Sequence, residues 1–220
     1  MSDTALPSSS APTRDVLLYG LSQSIDAARL AAWAQETMPA VVPDFHRCQL
    51  EWWVWSHRAT VGPRVLDIGV YDRRAYFGPG YRTMGQNGED VRGDVCAMPF
   101  EAGSWDAVVL TEVLEHCLDP WAAMREVHRV LVPGGTVLVT SPFLWPWHGC
   151  EDYEDYWRFT HQGWERLLAA FEGVRIIPCA LTPEGAAGYE QLRRWECMGW
   201  AQQTHITTGY LCSATKPLPA

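Results

Sequence analysis

The sequence predicts an α/β protein built on a doubly wound, largely parallel sheet, and three observations carry that prediction. Val-Leu-Asp-Ile-Gly at residues 65–69 reads as a short buried strand that stops at a glycine, where the backbone must come close to something. Residues 105–110, Trp-Asp-Ala-Val-Val-Leu, read as a strand buried on both faces, as parallel strands are. A helix opened by Asp119-Pro120 then leads to another strand at residues 136–140, which completes a strand, helix, strand unit.

The elements follow in order. Residues 1–14 are rich in serine, alanine and proline and lack a basic stretch followed by an apolar run, so a disordered leader is expected rather than a signal peptide. Residues 15–60 are expected to form an N-terminal helical segment, which the family resemblance given below implies is a lid. Within it, residues 24–38 carry Ile25, Ala28, Leu30, Ala31 and Trp33 among good helix formers, with Pro39 at the end. Asp44 caps a second helix running to about His57, whose Phe45, Cys48, Leu50, Trp52, Trp53 and Trp55 cover more than one face. The core spans residues 61–220 and forms one compact domain with the lid. After the first strand, residues 71–80 leave little room for a long helix before short strands at 81–84 and 89–93, joined by an Asn87-Gly88 turn. Met124, Val127 and Leu131 give the next helix its apolar stripe, and Pro133-Gly134-Gly135 ends it. Residues 141–160 are a loop dense in aromatics and acids. A helix at 162–171, a strand at 174–179, a helix at 189–200 and a last strand at 206–215 complete the chain.

Composition narrows the function. The net charge of −9 argues against a polyanionic partner such as nucleic acid, and no apolar run is long enough to span a membrane. Sixteen arginines against one lysine, Lys216, reflect genomic composition more readily than function. The seven cysteines have no paired spacing of the zinc-site kind, so free thiols in a reducing, cytoplasmic compartment are expected, and no metal is required. Twelve tryptophans and eight tyrosines fill cores, but they also build flat apolar ligand surfaces with a polar handle.

In an open parallel sheet, ligands bind beyond the carboxyl ends of the strands. Gly69, Asp94, Thr111-Glu112 with Glu115-His116, and Ser141-Pro142-Phe143 all fall at such ends. Val-Leu-Asp-Ile-Gly at 65–69, Gly-Asp-Val-Cys-Ala-Met-Pro-Phe at 93–100, Ser-Trp-Asp-Ala-Val-Val at 104–109, Leu114-Glu115-His116 and Leu-Val-Pro-Gly-Gly at 131–135 together resemble the class I S-adenosylmethionine-dependent methyltransferases. The loop at 141–148 and Asp-Tyr-Trp-Arg-Phe-Thr at 155–160 resemble its small-molecule, type 11 subgroup. The resemblance implies a Rossmann-like seven-stranded methyltransferase sheet with an N-terminal helical cover, and S-adenosylmethionine as cofactor. It implies that Asp67, Gly69, Tyr71, Gln86, Asp94, Val95, Cys96, Thr111, Glu112 and His116 surround that cofactor, with Asp94 on the adenine amino group.

Two departures stand out. Tyr71 occupies the place of the usual second glycine, and a positive φ there would cost about 1–2 kcal/mol. The second strand lacks the acid that normally holds the ribose hydroxyls, leaving Gln86 or Asp72 to substitute.

Methyl transfer is first a positioning problem, and a hydroxyl acceptor also needs a base near neutral pKa. His148 is the base this reading selects, with His116 second. Trp52, Trp55, Phe143, Trp145, Trp147, Asp152, Tyr156 and Trp157 are the expected acceptor contacts, which implies a small metabolite with a flat or apolar body, methylated on O or N. A homodimer is the assembly considered, and no motif fixes it. The competing reading keeps the fold but performs cofactor-independent epimerisation or rearrangement, or only binds a partner.

Overall fold

A computed structural model describes residues 27–37, 45–69, 71–86, 90–179 and 207–219. The leader, Asp44, Val70, Asn87-Gly88 and the helix expected at 189–200 lie outside the described residues. Seven strands, β1 (Val65–Ile68), β2 (Tyr81–Gly85), β3 (Val91–Arg92), β4 (Trp105–Thr111), β5 (Leu131–Pro142), β6 (Glu172–Pro178) and β7 (Gly209–Thr215), form one sheet in the order β3-β2-β1-β4-β5-β7-β6. The first five are mutually parallel, and β7 runs antiparallel to both β5 and β6. The last strand therefore inserts between two earlier ones instead of closing an edge.

Five α-helices are described, α1 (Ala27–Thr37), α2 (Phe45–Ser56), the one-turn α3 (Arg74–Phe77), α4 (Pro120–Val130) and α5 (His161–Leu167), together with a 3-10 turn at Leu114–His116. The period of two along a strand distributes β1 and β4 between two cores. Leu66, Ile68, Val108 and Leu110 pack with Met124 and Val127 of α4 and Trp164 of α5. Val65, Ala107 and Val109 pack on the other face with Leu50, Trp53 and Val54 of α2. The same alternation puts Asp67, fully buried, on the α2 face. With α2 buried into the second core, the N-terminal segment is a packing layer of the domain, and Trp52 bridges that core to the α1–α2 contact.

α4 starts as the residues dictate: Asp119 caps by accepting from the Ala122 N–H at 2.9 Å, and Pro120 fills the first position. It ends earlier than Pro133-Gly134-Gly135 implied. Leu131 already pairs with Trp105, so β5 begins there and carries the glycines within it, Gly134 at positive φ with its N–H donating to Lys216 O. Tertiary pairing decides this boundary, since a residue that completes the apolar stripe of a helix serves equally well in a buried strand.

Candidate active site

The carboxyl ends of β1, β4 and β5 converge around Gly69, Thr111-Glu112 and Ser141. Gly69 has φ +141°, and a Cβ there would stand 3.3 Å from Thr111 O, so glycine is required where β1 exits against β4. Tyr71, by contrast, has no positive φ, and the strain expected there is absent. Its ring lies under the Arg47 guanidinium at 4.3 Å. The strained residue is Glu112, at φ 56°, a conformation that non-glycine residues adopt at a cost of about 1–3 kcal/mol. Thr140 anchors it: its hydroxyl donates to Glu112 Oε1 at 2.7 Å and its side-chain oxygen accepts from the Glu112 N–H at 3.2 Å.

The largest departure from the expected site is Arg73, 1% exposed. Its Nη1 donates to both Asp67 oxygens at 2.9 and 2.8 Å, Nε and Nη2 donate to Glu51 at 2.9 and 2.7 Å, and Nη2 also reaches Thr111 Oγ1 at 2.8 Å. Tyr81 OH donates to Asp67 as well, at 2.8 Å. Burial disfavours the guanidinium charge, but Asp67 and Glu51 more than offset it and raise its pKa. Arg47 stands 3.7 Å from Glu51, so two carboxylates face two guanidinium groups. Sequence reasoning does not single out Glu51, Arg73 or Arg47, whose pairing depends on α2 packing against the β1 exit.

On the far side of β1, Val95 is buried, Asp94 is exposed with Oδ1 accepting from the Cys96 N–H at 2.8 Å, and Cys96 Sγ lies 3.6 Å from Asp119 O. Gln86 is exposed at the end of β2. Asp90 cannot serve as a free ribose acid, since it accepts from Arg74 and from the Thr83 N–H.

The loop after β5 folds back onto the β4 exit. The backbone N–H groups of Tyr156 and Trp157 both donate to Glu115 O, at 2.7 and 3.2 Å. His148 is held at Nδ1 by Asp155 Oδ2 and Pro146 O, both at 3.2 Å, and Asp155 is paired with Arg158, which keeps its carboxyl near pKa 2. His116 meets His148 edge to face at 4.9 Å and Tyr153 at 4.6 Å, with Nδ1 against Glu154 O. Burial lowers the His116 pKa, and the neighbouring His148 adds to the effect. Glu115 is 0% exposed, and neither side-chain oxygen has a hydrogen-bond partner of good geometry; burial and the charge of Glu112 push its pKa well above the ordinary range, against a smaller opposing pull from Ser141 and Arg158.

The expected acceptor contacts divide. Trp145, Trp147 and Tyr156 are exposed at 40%, 72% and 47%, and Asp152 is exposed beside them. Trp147 lies over Gly149, where a Cβ would stand 2.8 Å from its ring. Phe143 packs on Tyr210, and Trp157 anchors the loop through Nε1 to Cys117 O at 2.8 Å and ring contacts to Trp121 and Phe159. Trp52 lies in the core contacts of α2, and Trp55 packs on Trp33 beneath Arg58. The α2 residue that does reach the loop is His46, unforeseen in the sequence: its ring lies 5.5 Å from Trp145, with Nε2 3.5 Å from Glu112 Oε2 and Nδ1 2.9 Å from Thr208 Oγ1.

Residues 80–139 match a family model described as a methyltransferase domain. The strand order, the reversed β7 and this match agree. The chain carries the class I methyltransferase fold. Among sequence relatives of this methyltransferase-fold chain, an uncharacterised methyltransferase of Mycobacterium sp. (strain KMS) is 33% identical over 153 residues, 60% of this chain and 58% of its own length. The demethylmenaquinone methyltransferase of Staphylococcus aureus (strain JH9) is 32% identical over 88 residues, 39% of this chain and 36% of its own. The match thus spans little more than half of the first relative and about a third of the second. Haemonchus contortus phosphoethanolamine N-methyltransferase 2, solved with S-adenosyl-L-methionine, superposes with a TM-score of 0.53 at 17% identity over 96% of this chain and 61% of that one. The cyclase SpnF superposes with a TM-score of 0.51 at 17% identity over 79% and 82%.

The residues present fit S-adenosylmethionine in part. The close approach at Gly69, the turn of Asp94, Val95 and Cys96, and the acid Glu112 at the β4 exit supply the donor and acceptor types it needs. Asp67 does not, because Arg73 and Tyr81 take up both of its oxygens.

Proposed function

We propose that the protein transfers a methyl group from S-adenosylmethionine to an oxygen or nitrogen of a small metabolite with an aromatic or apolar body. One observation carries this reading: the loop bearing exposed Trp145, Trp147 and Tyr156 is pinned by its backbone to Glu115 at the β4 exit, which brings His148 to the mouth of the cofactor fold. When bound, S-adenosylmethionine supplies a methyl carbon on a positively charged sulfur for the acceptor to displace. Gly69, Thr111, Asp94, Val95 and Cys96 would hold it, and Glu112 would meet its positive charge. The ordered loop orients the acceptor, its tryptophans supplying flat apolar area at low entropic cost and excluding water. Pro146 O can only accept, so the proton of His148 sits on Nδ1 and Nε2 keeps a lone pair to receive the proton of a hydroxyl acceptor. The surplus of acids in the sequence supports a small-molecule partner over nucleic acid.

The reading is tested by incubation with methyl-labelled S-adenosylmethionine and a panel of hydroxyl- and amine-bearing aromatics, together with calorimetric titration of S-adenosylhomocysteine. Label transfer with micromolar binding is expected. No binding of either nucleoside would overturn it. That result would favour cofactor-independent rearrangement, the reading to which the engagement of Asp67 by Arg73 and the likeness to the cyclase SpnF give their support.

A further inference from the structure

The structure assigns a divalent-metal site to Glu115, His116 and His148. One ligand atom from each lies within 4.8 Å of the others, and His116 Nε2 stands 3.7 Å from Glu115 Oε1.

The first argument is Glu115, the ligand that most lacks a partner. Its carboxyl group has no exposure, and neither oxygen has a hydrogen-bond partner of good geometry. A cation would complement its charged form. Arg73 serves Asp67 and Glu51, and Arg158 is bonded to Asp155 and reaches Glu115 only through the attraction of their charges.

The second argument is the orientation of the imidazoles. Carbonyl oxygens accept, so Nδ1 of His116 donates to Glu154 O and Nδ1 of His148 donates to Pro146 O. Both rings therefore present Nε2 as a lone pair. A backbone carbonyl behind each histidine, with Asp155 accepting from the His148 backbone N–H, is the kind of outer shell that fixes metal-binding imidazoles. Asp155 is in turn fixed by Arg158, which makes that shell rigid. The two rings meet edge to face at 4.9 Å, which keeps a ligand nitrogen of each close to the Glu115 carboxyl group.

The third argument is size and softness. Ligand atoms about 2.0–2.2 Å from one cation lie roughly 3–4 Å apart, so side-chain shifts of about 1 Å close the cluster. Two imidazoles with one carboxylate select borderline cations such as Zn²⁺, Co²⁺ and Fe²⁺ over Ca²⁺ and Mg²⁺. Glu115, His116 and His148 each stand out in the sequence, but their convergence does not, since two lie on the helical turn Leu114–His116 after β4 and the third on the loop after β5.

Three protein ligands leave positions open for an oxygen ligand. An acceptor hydroxyl bound there is acidified by the cation, which takes over the task of a base while His148 Nε2 is coordinated. This consequence, a hydroxyl rather than an amine acceptor, rests on the methyl-transfer reading; the binding of the cation does not.

The test uses the full chain stripped with a chelator and titrated with CoCl₂ and ZnCl₂. One cation per chain, visible Co²⁺ d–d bands and a melting temperature raised by several degrees are expected for the wild type. Glu115→Gln and His148→Ala should each lose the bands and the shift, and His148→Ala, at a half-buried loop position, keeps the test valid if Glu115→Gln fails to fold. Cys150→Ser, which removes the exposed loop thiol, should keep both signals. Equal binding by wild type and His148→Ala, loss of binding in Cys150→Ser, or no shift at all would overturn the site. A bound cation with no methyl transfer to any acceptor would instead overturn only the proposed function.

Discussion

Arg73 shows at the scale of one residue how the loop after β1 is held. Its guanidinium satisfies two buried carboxylates and a threonine hydroxyl, so removing it strands charge. Arg73→Ala is expected to cost about 3–5 kcal/mol, read as a lowered urea midpoint with an unchanged slope. Arg73→Ala with Asp67→Asn and Glu51→Gln should recover part of that loss, because no buried charge then lacks a partner. Trp147 presents the opposite case. Exposed at 72%, it contributes to the surface and not to the core. Trp147→Ala should change stability by less than about 0.5 kcal/mol, raise KM for the acceptor and leave the affinity for S-adenosylhomocysteine unaltered. Equal losses in both affinities would place Trp147 outside the acceptor surface.

Caps and strand entries carry the argument at the scale of elements. Asp119 and Pro120 were readable as a helix start because capping is a local interaction, and Asp119→Ala should cost about 1 kcal/mol in a denaturation experiment. The entry of β1 is tied to β4 by Asp106, whose carboxylate accepts from the Arg64 N–H at 2.9 Å and from its guanidinium. Arg64 holds the Asp106 pKa below its ordinary 3.8. A carboxyl whose folded pKa is depressed stabilises the protein fully above the unfolded value and loses that stabilisation as pH falls through the folded one. Stability measured from pH 5 downward should therefore fall below about pH 4 in the wild type, with a shallower decline in Asp106→Asn.

Burial of α2 is decided at the scale of the whole molecule. Leu50 and Val54 are fully buried against β1 and β4, and Glu51 supplies half of the acid that Arg73 requires. Leu50→Ala should cost about 2–5 kcal/mol, a core-sized effect that a simple lid would not show. How much of this was legible depends on the range of the interaction. The strands at 65–69 and 105–110 and the α4 start rest on neighbours within a few residues. Glu51, Arg73 and His46 meet partners 22, 38 and 162 positions away, and no local pattern marks such pairs.

The sequence by itself determined the class of fold, the strand ends that converge and the aromatic character of the loop, because alternation, caps and glycines act through nearest neighbours and fixed periods. Tertiary structure alone decided that β7 lies between β5 and β6, that Asp67 belongs to an arginine of its own chain, and that Glu115 stands buried beside two imidazoles. The physical reason is that electrostatic pairing and burial depend on distance in space, and the chain fixes those distances only once the sheet has closed its two cores.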